Sequence, residues 1–338
     1  MPSEIRTEIR RNPRNGDLTI HLIGLRGPLI DSQIGTEGKE IDIFPKMPSD
    51  NGIQVQVISP PVPLLTLEAE PVGGIDGTAW FYDREPSFGA DERLNPNKIN
   101  SAGLEMILRG FKYRTRELRH DDRFQGNLRL FYPYVVYQPG DKSDEKLIGR
   151  MLAARVIAPA IREEVRYAKE YSDFRKGAPN YQRCIDCDIV REEIKKAGVK
   201  KSRVIVLTEH FLGIVPFSSS RVYSAHFIPR RHVARFSELT QQEIGDLAIP
   251  LYSEVQKISR VASKNVRFDA VNISFHSLPF YSTREIAGVN GIGEAYHMYV
   301  EVSPAMLPIN RKENYEIPGS RIYVSKVRPK DTGGELRI

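Results

Sequence analysis

Two cysteines, Cys184 and Cys187, constrain this 338-residue chain more than any other feature of its sequence. They are the only cysteines present, so a framework of several disulfides is excluded. Two thiolates at this spacing can bind one metal ion from a single turn, with histidines from elsewhere completing a tetrahedron. Because the chain has no disulfide framework, a reducing compartment fits best, and we predict a cytoplasmic protein.

The bulk composition predicts a packed globular protein. Hydrophobic residues make up 40% of the chain and charged residues 27%, which excludes global disorder. No apolar run approaches the roughly 18 residues of a membrane span, and the first residues lack the apolar core of a signal peptide. We therefore expect no membrane partner.

Positive charge is in slight excess and is unevenly spread. The net charge of +6 suits a phosphate-bearing ligand or RNA, although many proteins that bind neither carry a similar excess. In a predicted helix over residues 99–119, four basic residues fall near one face: Arg109, Lys112, Arg116 and Arg119. With the aromatic segment 131–137 they allow an RNA-binding surface. A solvated helix face is the commoner explanation of the same pattern.

The predicted elements follow a similar order in both halves of the chain. In each half, several strands precede one long helix, and further strands follow it. The long helix of the second half begins at a capping box formed by Thr240 and Glu243. We predict an α+β fold of two tandem units, with antiparallel sheets and packed helices, divided into residues 1–172 and 173–338.

Four motifs in the second half of the chain, and two before it, carry a family resemblance. They are the cysteine pair, Thr208–Phe217, Ile228–Val233, Tyr296–Val302, Glu8–Asp17 and Pro159–Val165. These motifs resemble the histidine-triad superfamily and, more narrowly, the galactose-1-phosphate uridylyltransferases with related nucleotidyltransferases and phosphorylases. The resemblance implies two fused histidine-triad-like units, with the nucleotide site in the first, and a homodimer.

The resemblance also implies a structural zinc site. Its ligands are the cysteine pair, the histidine of a Pro-Lys/Arg-x-His motif and the first histidine of the triad, which match Cys184, Cys187, His232 and His297. Four closed positions with soft thiolate and imidazole ligands are typical of structural Zn2+. The alternative is two buried free cysteines and two histidines with other partners.

The covalent chemistry of the family lacks its central residue in this chain. The nucleophile there is the second histidine of a His-Pro-His motif, and Ile148 stands at the matching position. An isoleucine side chain cannot attack phosphorus. Pro60 replaces the asparagine of the nucleotide-cradling segment, and Tyr299 and Glu301 stand at the second and third positions of the other triad.

Two functions from different classes follow from these departures. The first is a pseudoenzyme that has lost nucleotidyl transfer and binds a nucleotide, a sugar phosphate, RNA or a protein partner. The alternative is an active nucleotidyltransferase, phosphorylase or hydrolase on nucleotide sugars that uses other residues. In that case Lys146 is the candidate nucleophile or phosphate clamp, and Arg150 would hold phosphate beside it.

Two further sites are implied by the resemblance. Some members carry a second metal, whose ligands match Glu164, His276 and Glu301, with Tyr299 in place of a histidine. A sugar-reading glutamate near the C-terminus matches Glu316. The alternatives are a surface glutamate with ordinary strand residues, and a turn residue. The remaining histidines have no evident partner and are interpreted as structural: His21, His120, His210 and His226.

Overall fold

The structure is a computed structural model. It describes residues 6–11, 18–23, 40–41, 54–58, 74–82, 101–120, 130–139, 146–154, 158–175, 184–199, 202–218, 222–265, 268–279, 291–306, 314–317 and 319–325. No helix in these ranges is long and apolar enough to cross a membrane.

These residues form fourteen strands and five α-helices. The strands are β1 Arg6–Arg11, β2 Leu18–Ile23, β3 Glu40–Ile41, β4 Gln54–Ile58, β5 Gly74–Tyr82, β6 Leu130–Gln138, β7 Lys146–Ala154, β8 Val204–Leu207, β9 Phe211–Ile214, β10 Ala225–Pro229, β11 Phe268–His276, β12 Tyr299–Met306, β13 Asn314–Ile317 and β14 Ile322–Ser325. The helices are α1 Ser101–His120, α2 Pro159–Phe174, α3 Ile185–Ile194, α4 Gln241–Asn265 and α5 Ile292–Ala295.

A ten-stranded sheet contains the duplication that the sequence predicts. Its order is β3-β4-β5-β7-β6-β11-β12-β10-β9-β8, and neighbouring strands are antiparallel. Each unit contributes five strands to this sheet, β3–β7 in the first unit and β8–β12 in the second. Counted in chain order, these five strands run from the edge of the sheet to its centre as first, second, third, fifth and fourth in both units. In the sequence of each unit, the long helix lies between the third and the fourth of these strands. The predicted α+β fold of two tandem histidine-triad-like units, with antiparallel sheets and packed helices, is therefore confirmed.

The two units meet at the centre of this sheet, where β6 pairs with β11. A second sheet of order β1-β2-β14-β13 joins strands from the two ends of the chain, because β14 pairs with β2 in parallel. The division at residues 172 and 173 stays a prediction, since one sheet runs through both units.

One face of the ten-stranded sheet is apolar and is covered by α1 and α4. Alternate residues of the central strands point into this layer, as the period of two of a strand requires. The apolar stripe of α4 meets them, and the shared core includes Phe275, Val300, Val302, Leu247 and Leu251, all fully buried. Helix α4 runs through Pro250 without ending there.

The other face of the sheet is polar in the second unit. Asn272, Ser274 and His276 alternate along β11, and Ser303 follows on β12, yet all four are buried. Helices α2 and α3 cover this face, so its polar groups require partners inside the protein. Tyr299 and Glu301 of β12 lie on this face, because they pair with His276 and Ser274.

The start of α4 has the predicted capping box. The Thr240 backbone N–H donates to Glu243 Oε2 at 2.6 Å, and the Glu243 N–H donates to Thr240 Oγ1 at 3.1 Å. The Arg231 guanidinium also donates to Glu243 Oε2, at 2.9 Å. The first turn of the helix is thus tied to the chain that follows β10.

We expect acid to weaken this capping interaction. Burial alone would raise the pKa of Glu243, but hydrogen bonds from Arg231 and Thr240 lower that pKa to about 2, from 4.5. The contribution of Glu243 to stability is therefore complete above pH 4.5 and is lost as the pH falls through 2. Glu243→Gln should lower the free energy of unfolding at neutral pH and flatten its decline between these values, as measured by urea denaturation.

Glu170→Gln provides the matched control, because Glu170 lies on the exposed face of α2 and pairs only with the exposed Arg166. Its acid dependence should follow that of the unmodified protein. Equal acid dependence in both variants would contradict the role given to Glu243.

Candidate functional site

Four side chains of the second unit converge into a metal-binding geometry. Cys184 precedes α3, Cys187 lies in its first turn, His232 follows β10, and His297 precedes β12. One ligand atom from each lies within 4.8 Å of the others. The structure therefore brings together the four residues that the sequence predicts as zinc ligands.

The distances in this cluster fit a tetrahedral ion. Cys184 Sγ and Cys187 Sγ each lie 3.5 Å from His297 Nδ1, and Cys187 Sγ lies 3.4 Å from His232 Nδ1. A tetrahedral zinc, with bonds of about 2.3 Å to sulfur and about 2.0 Å to nitrogen, places these atoms about 3.5 Å apart. The Cys2His2 group could hold a metal of this size without rearrangement.

The surroundings of the cluster orient its ligands. His232 Nε2 lies 2.7 Å from the Gly293 carbonyl oxygen, and a carbonyl oxygen accepts hydrogen bonds but cannot donate one. The ring therefore carries its proton on Nε2 and directs a lone pair from Nδ1 at the cluster, an arrangement typical of metal-binding histidines. The Met298 N–H donates to the Val233 carbonyl at 2.8 Å and joins the two histidine-bearing segments.

The two cysteine side chains affect each other's ionisation. A hydrogen bond between them raises the pKa of Cys184 to about 11, with burial adding to the effect, and lowers the pKa of Cys187. A metal requires both groups as thiolates, so binding must release the proton of Cys184. Metal affinity should therefore depend on pH.

A second polar cluster lies on the same face of the sheet, around Glu164 of α2. Its carboxylate accepts hydrogen bonds from the Tyr296 and Tyr299 hydroxyls, both at 2.9 Å, and lies 2.8 Å from His276 Nδ1. On the other side of that ring, His276 Nε2 lies 3.6 Å from Glu301 Oε2. The structure thus brings together all the residues predicted for a second metal.

The arrangement of this cluster is that of a hydrogen-bonded ion pair. Burial disfavours a charged imidazole, but the carboxylates of Glu164 and Glu301 outweigh it and raise the pKa of His276 to about 10. The two carboxylates face different nitrogens of the ring, so one ion cannot contact both of them and a single histidine nitrogen in this geometry. The second metal stays a prediction that requires the ring to turn.

Two members of this face have partners that the sequence does not reveal. The Tyr299 ring stacks on two histidine rings. Its centroid lies 4.3 Å from that of His276 and 4.7 Å from that of His226. Burial lowers the pKa of His226 to about 4, so its ring is neutral in the stack. Tyr296 is the other residue that sequence analysis missed, since a lone tyrosine beside a triad position carries no recognisable pattern.

A tight turn closes over this polar face. Gly319 has a φ of +68°, and a Cβ there would lie 2.9 Å from Tyr132 Oη and 3.1 Å from His276 Nε2. The turn is anchored on α2, because the Ala160 N–H donates to the Ser320 carbonyl and the Arg321 guanidinium pairs with Glu163 at 2.7 Å. Glu316, the predicted sugar ligand, lies in β13 just before the turn, and its side chain is outside the described residues.

The first unit presents the strand predicted to have lost the nucleophile. Leu147 and Gly149 are buried, and Gly149 lies against Ile107 and Phe111 of α1. Positions 146, 148 and 150 therefore belong to the opposite face of the sheet. Lys146 and Arg150 lie there at backbone level, and their side chains are outside the described residues.

Strand register relates this segment to the second triad. Tyr134 pairs with Ser274 where the two units meet. In the first unit, β7 pairs with β6, with Arg150 opposite Tyr134 and Ile148 opposite Val136. In the second unit, β12 pairs with β11 in the same way, with Glu301 opposite Ser274 and Tyr299 opposite His276. With Tyr134 and Ser274 taken as equivalent positions of the two units, Ile148 corresponds to Tyr299.

The basic helix face predicted to bind RNA is partly engaged inside the protein. Arg109 pairs with Glu105 on the same helix, and the Lys112 ammonium donates to the Leu239 carbonyl. Burial lowers the pKa of Lys112. The side chains of Arg116 and Arg119 are outside the described residues, and the RNA surface stays a prediction.

We expect the metal cluster to be required for stability. Cys187→Ser should abolish stoichiometric zinc binding and lower the melting temperature, because three remaining ligands leave an open position and a weaker site. Metal analysis of the purified protein and thermal denaturation check this. His210→Gln, a histidine outside the cluster, should keep its zinc, and a fully stable, metal-free native protein would contradict the assignment.

The turn over the polar face should tolerate no side chain at Gly319. Gly319→Ala adds a methyl group against Tyr132 and His276, besides the cost of about 1 to 3 kcal/mol for a positive φ. Gly198→Ala is the control, because Gly198 has a φ of +80° with no atom within 4 Å of its Cβ position. Chemical denaturation should show the larger loss at Gly319, and equal losses would exclude a close contact.

Comparison with known proteins tests the resemblance. No family model matches the chain. A galactose-1-phosphate uridylyltransferase from Thermotoga maritima is 23% identical over 166 residues, which make up 48% of this chain and 47% of that protein. The chain thus spans about half the length of this curated relative.

Two solved structures share the fold over nearly the whole chain. A galT-like protein from Arabidopsis thaliana has a TM-score of 0.57 and 18% identity, covering 98% of both chains. An ADP-glucose phosphorylase from the same plant, with bound ADP-glucose, has a TM-score of 0.57 and 17% identity, covering 98% of this chain and 99% of that one. The motif resemblance is confirmed at the level of the fold: the chain has the fold of the galactose-1-phosphate uridylyltransferase-like proteins.

Proposed function

We propose that this protein binds a nucleotide or sugar phosphate on the polar face of its first unit and does not transfer it through a histidine. The proposal is carried by Ile148, an isoleucine where the resemblance expects the nucleophile, and the strand register is compatible with its correspondence to Tyr299. The face that would hold the reacting phosphate therefore has an alkyl side chain where the family has its nucleophile.

The second unit supports this division of roles. Its polar face is closed by the hydrogen bonds of Glu164 and by the turn at Gly319, so it has little room for a ligand. We assign Zn2+ to the Cys2His2 group, where it would stabilise the fold and take no part in chemistry. The relatives act on or hold nucleotide sugars by name, which makes that ligand class the first to test.

An active enzyme with other residues is the second candidate. Lys146, Ile148 and Arg150 are alternate residues of β7 and belong to one face of the sheet, which supports this candidate. Lysine can form a phosphoramidate, so Lys146 could act as a nucleophile. The proposal also includes the remaining predictions from the sequence. These are RNA binding, a protein partner, a homodimer, the second metal and sugar contact by Glu316.

The decisive measurement is the search for a covalent adduct. The zinc-loaded protein is incubated with UDP-glucose labelled in the uridine and, separately, with ADP-glucose labelled in the adenosine. We expect saturable binding in equilibrium dialysis but no label on the denatured protein. Label that mass spectrometry maps to Lys146, and that Lys146→Ala abolishes, would replace the proposal with the alternative.

Ile148→His tests the position itself. If isoleucine is the only barrier to chemistry, this variant should acquire label that the unmodified protein lacks, while Val136→His, on the neighbouring strand, should not. Label on the unmodified protein at any histidine would contradict the proposal outright.

A further inference from the structure

A cavity lies next to the metal site, and Cys187 is part of its lining. Its volume is about 450 Å³, within the range of about 300–1,000 Å³ typical of small-molecule sites. Helix α3, the turn between β8 and β9, the residues after β10 and the start of α4 surround it. Arg191, Arg230, Arg231 and His210 line it, together with Glu209 and Glu243.

The three arginines differ in how their charge is balanced. Arg231 forms an ion pair with Glu243, and Arg191 with Asp188. Arg230 donates through one terminal nitrogen to the Thr208 and Glu209 carbonyls, at 2.9 and 2.8 Å. Within the part of the chain that the structure describes, no carboxylate lies within ion-pair distance of Arg230. Its position is therefore fixed, while its charge and its remaining donors are directed at no acid of the protein.

His210 is held beside Arg230 by a half-buried acid, Asp246. Asp246 Oδ2 accepts hydrogen bonds from Thr208 Oγ1 at 2.6 Å and from the His210 N–H at 2.9 Å, and it lies 3.2 Å from His210 Nδ1. The other ring nitrogen, Nε2, lies 3.9 Å from Glu209 Oε1, which also lines the cavity. Asp246 thus orients the ring and leaves Nε2 at the cavity side.

We infer that this cavity binds the phosphate group of a small organic molecule. A phosphate group has three acceptor oxygens and can be shared by Arg230, Arg231 and His210, whereas a carboxylate has two. Asp188 and Glu243 balance the charges of Arg191 and Arg231, so a bound phosphate would balance the charge of Arg230. A bare phosphate would fill little of this volume, so the ligand carries an organic part, which Val190 and Ile194 of α3 can contact.

This site is separate from the one proposed in the first unit. It lies in the second unit, beside α3 and the turn between β8 and β9, and it involves no covalent step. It therefore goes beyond the proposed function, and either can hold without the other.

Phenyl phosphate is the probe, and benzoate is its carboxylate counterpart. Isothermal titration of the zinc-loaded full chain should show saturable binding of phenyl phosphate and weaker binding of benzoate. Arg230→Ala should weaken phenyl phosphate binding by about tenfold or more, since it removes a charge-assisted hydrogen bond. Arg166→Ala, at an exposed arginine outside the cavity, should leave the affinity unchanged.

A second measurement covers the case in which Arg230→Ala fails to fold. The His210 ring proton resonances, assigned with His210→Gln, should shift when phenyl phosphate is added to the unmodified protein. Absence of saturable binding, an affinity unchanged in a folded Arg230→Ala variant, or His210 signals that do not move would each overturn the inference. So would binding lost in Arg150→Ala but kept in Arg230→Ala, because the phosphate would then occupy the first unit.

Discussion

The Cys2His2 group connects three segments that are far apart in the sequence, and the second unit depends on that connection. It joins the start of α3, the chain after β10 and the chain before β12. A structural zinc contributes about 10–16 kcal/mol of binding free energy in small zinc domains, which is as large as the whole stability of a typical domain. The placement of β12 follows from it, and β12 carries Tyr299 and Glu301 onto the polar face.

That polar face shows how two units with one topology come to differ. In the second unit, Glu164 accepts three short contacts, from His276 and two tyrosines, and the Gly319 turn closes above them. A buried network whose members satisfy one another is stable without a ligand. In the first unit, β7 has the place in the sheet that β12 has in the second, and it carries Ile148 and Arg150.

The positive charge of the chain is distributed by pairing. Lys112, Arg109, Arg191 and Arg231 each contact a carbonyl or a carboxylate within the protein. Arg230 contacts two backbone carbonyls, and among the described residues no carboxylate lies within ion-pair distance of it. A net charge of +6 therefore does not describe one basic surface, and only local pairing distinguishes a ligand site from a solvated helix face.

The sequence by itself determined the elements whose causes are local or chemically specific. The alternation of strands, the capping box at Thr240 and the four metal ligands depend on spacing and side-chain chemistry, and the structure contains them as predicted. The absence of a histidine at position 148 is likewise a fact of the sequence. Only the tertiary structure decided that the two units share one sheet, that Tyr296 donates to Glu164, and that Asp246 orients His210. Such contacts join residues distant in sequence, and no local pattern encodes them, because packing and the burial of polar groups select them only once the whole sheet has formed.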